Sequence, residues 1–194
     1  MRIFGMALAC VLAFGASAAA ATYSFHPGHT EVRFYWNHAG VSEQSGEWGS
    51  VTGFVEFDQE NLEATTVSVT IRADSVNTGV SRLDEDFRSE RFFDAVKYPE
   101  ITFASTNTTQ TGPKSVRVTG DLTIKGITRP LVLDVDLVHF GDHPLGQFSQ
   151  SYTGTWLGIR ATGTLIRSEF GVGFGAPLNS DRIRLEISTE MKPE

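Results

Sequence analysis

Residues 76–103, VNTGVSRLDEDFRSERFFDAVKYPEITF, decide how the chain is to be folded, because past the first two dozen residues no other stretch carries a helical pattern. Val80, Leu83 and Phe87 fall at i, i+3 and i+7 and so share one face of a helix. Ser81-Arg82-Leu83-Asp84 fits a capping box, with Ser81 placed to accept an orphan backbone N–H. Asp84, Glu85 and Asp86 near the start and Arg88 and Arg91 near the end suit the helix dipole. Phe92-Phe93 break the pattern, Tyr98-Pro99 pushes the backbone extended, and Ile101-Thr102-Phe103 restarts a strand. The segment therefore predicts one short helical cover on an otherwise β protein. A plain crossover that buries its own greasy face fits the same spacing.

Outward from it, the chain alternates. Tyr23–Phe25 predicts a short opening strand stopped by Pro27-Gly28, and Thr30–Trp36 the next, with Val32, Phe34 and Trp36 on one face. Strands follow over residues 48–58 and 65–74, the latter with Val67, Val69 and Ile71 opposite Ser68, Thr70 and Arg72. After the helix come residues 100–109 and 115–125, then 131–140 with Leu131, Leu133, Val135 and Leu137 on one face. Residues 150–167 carry Gly154, Gly158 and Gly163, which suggest bends or bulges, and residues 181–189 close the chain. Eight main strands with one-sided alternation suit antiparallel pairing. A sandwich and a closed barrel both satisfy that pattern; a barrel of this size has room for one small ligand.

Met1–Ala21 reads as a secretory signal: Arg2, an uncharged apolar run from Ile3 to Phe14, then small residues with Ala-x-Ala sites and a cut after Ala21. That expectation places residues 22–194 in the periplasm as one domain, without stable membrane insertion. Of 194 residues, removing 21 leaves 173, enough for a sizeable core. Cys10 is the one cysteine, so residues 22–194 form no internal disulfide. Without Arg2 the balance is 15 Lys+Arg to 23 Asp+Glu, a net of −8, which argues against nucleic acid or anionic membranes as partners.

Signatures of nucleophilic, zinc-protease and phosphate-loop chemistry are missing from the sequence. His26 and His29 flank a Pro-Gly turn but have no evident third metal ligand, and His139 and His143 read as an exposed loop pair; no metal or cofactor is expected. His29 and His38 have two readings: hydrogen bonding to backbone near strand ends, or lining a barrel mouth. A lipid-acting enzyme would pair one of them with an acid such as Asp94. Fourteen Phe and three Trp suit either an ordinary core or a lipid tunnel.

Several blocks in order carry a resemblance: His29-Thr30-Glu31-Val32-Arg33-Phe34; Asn37-His38-Ala39-Gly40-Val41-Ser42; Phe92-Phe93-Asp94 with Lys97–Phe103; Gly120–Pro130; and Ile166–Gly171. Together they are similar to the YceI-like proteins, also called polyisoprenoid-binding or lipocalin-like periplasmic proteins. The resemblance implies an all-β fold, an extended eight-stranded antiparallel β-barrel with one short helical insertion. It also implies a long isoprenoid, isoprenoid quinone or related lipid held inside, no established catalytic residues, and a possible homodimer; a stress-induced periplasmic partner-binding protein whose cavity is incidental is the alternative beside a lipid-acting enzyme. Two departures stand out: His26 where the family usually has Asp, and Leu83–Phe87 where it tends to read Arg-Asp-x-His-Leu. Inward parity and the matching blocks together nominate Phe34, Trp36, Ile71, Val80, Leu83, Phe87, Phe92, Phe103, Trp156 and Phe170 as ligand-lining residues.

Overall fold

The structure, a computed structural model, describes residues 20–194; the expected signal segment lies almost wholly outside them. Its strands are β1 (Ala21–His38), β2 (Ser42–Trp48), β3 (Val51–Phe57), β4 (Thr66–Arg72), β5 (Val76–Asn77), β6 (Glu100–Gly112), β7 (Ser115–Ile124), β8 (Ile127–Asp142), β9 (Thr155–Ile166) and β10 (Arg182–Pro193). One α-helix, α1 (Ser81–Arg88), sits between β5 and β6. All strand pairings are antiparallel, in the order β10-β9-β8-β7-β6-β4-β3-β1, and β1 pairs back onto β10. The result is a closed eight-stranded barrel. Closure leaves these eight strands without an open edge. β2 pairs with the upper half of β1, from Arg33 to His38, and β5 adds two residues to β2.

The alternation in the sequence is the inside and outside of this barrel. Val32, Phe34, Val51, Val55, Ile71, Ile101, Phe103, Leu131 and Leu133 are all buried in the interior, while Phe54, on the opposite face of its strand, is exposed. Several boundaries differ from the sequence reading: β2 has no counterpart in it, the strand expected from residue 48 begins at Val51, the one expected from residue 150 begins at Thr155, and two differences fall at prolines. Pro27-Gly28 does not end a strand: residues 26–29 form a bulge in one 18-residue β1, where the register against β10 shifts between Phe25 and Thr30. The Gly28 N–H donates to His26 Nδ1 across that bulge. Pro130 lies inside β8 opposite Asp121, because the turn is tighter than expected: Lys125 and Gly126 alone make it, both at positive φ, with Ile124 facing Ile127.

The helix also begins later than its hydrophobic spacing implies. Val80 is the N-cap residue, with extended φ and ψ of −125° and 102°, and no side chain caps the helix. Ser81 is the first helical residue rather than the cap. Asp84 is buried and reaches back instead, accepting from the Thr78 N–H and the Thr78 hydroxyl, each at 2.7 Å. Arg88 ties the other end of α1 to the carbonyls of Asp74 and Val76. Ser81→Ala is therefore expected to change stability by less than about 0.5 kcal/mol, and Asp84→Ala to cost about 1–3 kcal/mol by leaving both donors of half-buried Thr78 without their acceptor. Chemical denaturation of the two variants checks both values.

Candidate functional site

The barrel encloses two neighbouring chambers that share part of their walls. The upper one, about 440 Å³, lies beneath α1; the lower one, about 150 Å³, runs toward the opposite end, where Leu62, Thr65 and Lys114 border it. Trp48, Ile124, Leu165 and Leu185 line both, and so form the waist between them. β6 is 13 residues long; at about 3.3 Å per residue and a barrel tilt of 35–45° it gives an interior on the order of 30 Å deep. The shape suits a long, thin, apolar molecule.

The upper chamber is built from aromatic side chains. Phe34 lies 4.6 Å from Trp48 and 6.0 Å from Phe87, centroid to centroid, and Phe87 touches Trp36 at 5.7 Å and Phe92 at 4.9 Å. Phe34 lies over Gly46, where the first atom of any larger side chain would overlap its ring. At the lip, Phe174 is half-exposed, met edge-to-face by Phe92 at 5.8 Å and covered by the Arg91 guanidinium at 4.5 Å. His38, Gln44, Arg167 and Asn179 add the polar groups of this chamber.

Arg167 organises the mouth. It is buried at the start of the short turn 167–170 and donates to four backbone carbonyls: Ser180 through Nε at 2.9 Å, Val172 and Phe174 through Nη1, and Asn179 through Nη2 at 3.0 Å. Burial lowers its pKa from the ordinary arginine value, and the nearby Asp181 carboxylate opposes that. The segment 172–180, which supplies Val172, Phe174 and Asn179 to the chamber, is folded around this one guanidinium.

Eight of the ten nominated residues line the tunnel: Phe34, Trp36, Leu83, Phe87, Phe92 and Phe170 the upper chamber, Ile71 and Phe103 the lower. Two do not. Val80 is 56% exposed, because the extended N-cap turns it off the face that carries Leu83 and Phe87. Trp156 is 1% exposed but shares parity with Gly158 and Arg160 on the outside of β9, whereas Leu157, Ile159 and Ala161 point in. It is buried under a separate cluster, 5.3 Å from Tyr152, 4.9 Å from His143 and 5.7 Å from His26. The waist residues Trp48, Ile124, Leu165 and Leu185 were missed. Leu165 and Leu185 carried a signal, since both continue the inward parity of their strands; Trp48 did not, because β2 reads Ser42-Glu43-Gln44-Ser45-Gly46 and shows no alternation.

The histidines sort differently from the sequence reading. His38 borders the upper chamber, while His29 lies nine residues away along β1, about 30 Å at strand rise. The two cannot serve one mouth. His29 Nδ1 lies 3.2 Å from Glu190 Oε2, and His143 Nε2 lies 3.5 Å from the same oxygen. His143 is not an exposed loop residue: its side chain is 12% exposed and packs on Tyr152 and Trp156. His26 and His29 stack on each other at 4.7 Å. Among the described residues no group of three or more His, Cys, Asp or Glu is arranged to hold a metal.

Comparison with known proteins gives one consistent result. Residues 23–191 match the profile of the YceI-like domain. The chain is 33% identical over 191 residues to a UPF0312 protein of Enterobacter sp. strain 638, covering 97% of this chain and 95% of that protein. It is 33% identical over 190 residues to Protein YceI of Escherichia coli O157:H7, with the same coverage. Among solved structures, the Campylobacter jejuni YCEI protein superposes with a TM-score of 0.70 at 28% identity, over 81% of this chain and 89% of that one. Burkholderia cenocepacia BcnA gives 0.74 at 20% identity, over 86% and 98%. A polyisoprenoid binding domain from Saccharophagus degradans gives 0.62 at 12% identity, over 90% and 99%. The last two establish the shared fold.

Proposed function

From the premise that the chain belongs to the YceI-like domain family, we propose that it is a periplasmic carrier for one long apolar chain, a polyisoprenoid, isoprenoid quinone or related lipid, on which it performs no chemistry. The observation that carries this is the two-chamber tunnel, whose lower half is bordered almost wholly by aliphatic and aromatic side chains. The Saccharophagus degradans domain that shares the fold is described as binding polyisoprenoid, which is the same kind of ligand. Burial supplies the affinity. At about 0.8 kcal/mol per methylene, ten buried methylenes contribute on the order of 8 kcal/mol, a micromolar dissociation constant before the entropy of association is counted.

A lipid-acting enzyme built on His29 or His38 with Asp94 finds less support. The two histidines lie at different levels of the barrel, and among the described residues no carboxylate lies within ion-pair distance of His38. Asp94 stands in a left-handed turn at φ 49° and serves as a bend, its carbonyl accepting from Lys97 and Tyr98.

Protein purified from a periplasmic fraction, extracted with organic solvent and analysed by mass spectrometry, is expected to release a long-chain lipid. Affinity for a prenyl probe should change less than about twofold between about 0.05 and 0.5 M NaCl, because burial rather than charge drives binding. A folded protein that yields no lipid, and takes up none of a panel of prenyl, quinone and fatty-acyl chains, would overturn the proposal.

A further inference from the structure

Among the described residues ten large apolar side chains stand exposed, and five of them, Val41, Val80, Val96, Phe174 and Leu178, lie at the end of the barrel where α1 covers the upper chamber. Three of the five form one rim. Val41, 84% exposed, stands in the β1–β2 turn, whose Ala39 and Gly40 both have positive φ. Leu178, 71% exposed, is tied to that turn: the Ala39 N–H donates to the Leu178 carbonyl at 3.0 Å, and the Ser180 N–H to the Asn37 carbonyl at 2.9 Å. Phe174 stands on the same 172–180 segment and also lines the chamber. Val41 and Leu178 border neither chamber, so burial within the chain does not account for them. Apolar side chains exposed singly are ordinary, but a group held together at the edge of an opening marks an interaction surface. We propose that this rim rests on an electrically neutral, zwitterionic lipid surface, and that the apolar chain enters and leaves the tunnel there. This rests on the apolar-chain reading above and names the phase from which that chain is drawn.

Continuity with the tunnel selects the partner. A lipid leaving the upper chamber passes Phe174, and with water beyond that lip every emerging methylene is hydrated at a cost. A rim seated among acyl chains removes that barrier. The charges at the rim fit head groups without net charge. The Arg91 guanidinium lies 4.5 Å over the Phe174 ring, and a cation with its stem on an aromatic side chain suits the head-group level of a bilayer. Acidic groups beside the rim are engaged within the protein: Glu43 accepts from Arg184 at 2.7 Å, and Asp181 accepts from the Ser168 N–H and hydroxyl. The formal charge of −7 repels an anionic surface. A second copy fits less well, because two-fold pairing through this rim would set two mouths against each other and leave neither with a source of ligand.

The test is flotation of the purified protein with phosphatidylcholine vesicles, run beside uptake of radiolabelled farnesol from solution. Wild-type protein should float, equally well within about twofold between about 0.05 and 0.5 M NaCl, and no better on phosphatidylglycerol vesicles. The double variant Val41→Ser, Leu178→Ser should bind phosphatidylcholine vesicles at least about tenfold more weakly, with farnesol uptake within about twofold of wild type. Phe148→Ser removes an apolar side chain that is 79% exposed in the β8–β9 connection at the opposite end, and it should change neither measurement. In wild-type protein bound to vesicles, amide hydrogen exchange should slow over residues 39–41 and 172–180 and not over 143–154, a readout that needs no variant. Four results would each overturn the docking surface while the carrier reading stands: farnesol uptake without flotation, flotation that the double variant leaves intact, tighter binding to phosphatidylglycerol, or a dimer in sedimentation that the double variant dissociates. Protein that floats by this rim yet takes up no prenyl, quinone or fatty-acyl probe would overturn the carrier reading and leave the docking surface standing.

Discussion

Leu165→Trp is expected to empty the barrel of lipid while the barrel stays folded. Leu165 lines both chambers and sits at the waist with Trp48, Ile124 and Leu185. An indole in its place fills the passage, so a chain entering under α1 can no longer reach the lower chamber. Each excluded methylene forfeits about 0.8 kcal/mol, and four of them amount to about 3 kcal/mol, more than a hundredfold in affinity. Overpacking a filled core costs about 1–3 kcal/mol; here the added volume enters space that is already open, so the cost falls toward the low end. Lipid recovered by extraction should drop by two orders of magnitude, with the circular dichroism spectrum kept. Undiminished lipid recovery from the folded variant would show that the two chambers do not act as one tunnel.

The largest loss of stability is expected from Arg167→Leu. The variant leaves four carbonyls of the mouth loop, on Val172, Phe174, Asn179 and Ser180, without their common donor. Hydrogen bonds to a charged group contribute about 1.5–3 kcal/mol each, but four bonds to one group are not additive, and about 3–5 kcal/mol in total is expected. At 2–4 °C per kcal/mol for a chain of this size, the melting temperature should fall by about 6–20 °C. Arg167→Lys should recover little, since an ammonium lacks the planar fork that reaches carbonyls on several sides. No pH dependence should follow. A folded-state pKa lowered by burial makes stability rise with pH only where the guanidinium titrates, and arginine stays protonated throughout the range in which the protein can be studied. A melting temperature within about 2 °C of wild type would show that the loop holds without its guanidinium.

Much of the barrel is legible in the sequence because burial on one face imposes a period of two. Val67-Val69-Ile71 and Leu131-Leu133-Val135 could be placed inside from their spacing alone, and the structure puts them there. Boundaries were less legible, because they depend on partners distant in sequence. Pro27-Gly28 looks like a stop, yet β10 pairs on both sides of it and carries β1 through as a bulge. β2 is polar along most of its length and is held by its pairing with β1 rather than by any pattern of its own. Trp156 attracts attention as a large aromatic, but only the parity of Leu157, Ile159 and Ala161 reveals that it faces outward. Val80 shows the limit of helical spacing, which gives a face but not the residue at which the helix begins. The functional consequences were uneven: the apolar tunnel could be anticipated, whereas its waist and the guanidinium at its mouth required the fold.

The seam between β1 and β10 joins Tyr23 to Pro193 and Phe34 to Leu185. Strands far apart in sequence thus complete the wall, and a nascent chain has no seam until β10 is available. Contacts of such long sequence separation fold slowly, because the entropy of closing the loop is met before the seam forms. A hydrocarbon chain has nowhere to be enclosed until that moment, so loading belongs to the closed barrel and not to the partly formed sheet. Residues that only zip the seam, far from any ligand, therefore set the time at which the protein becomes able to carry anything.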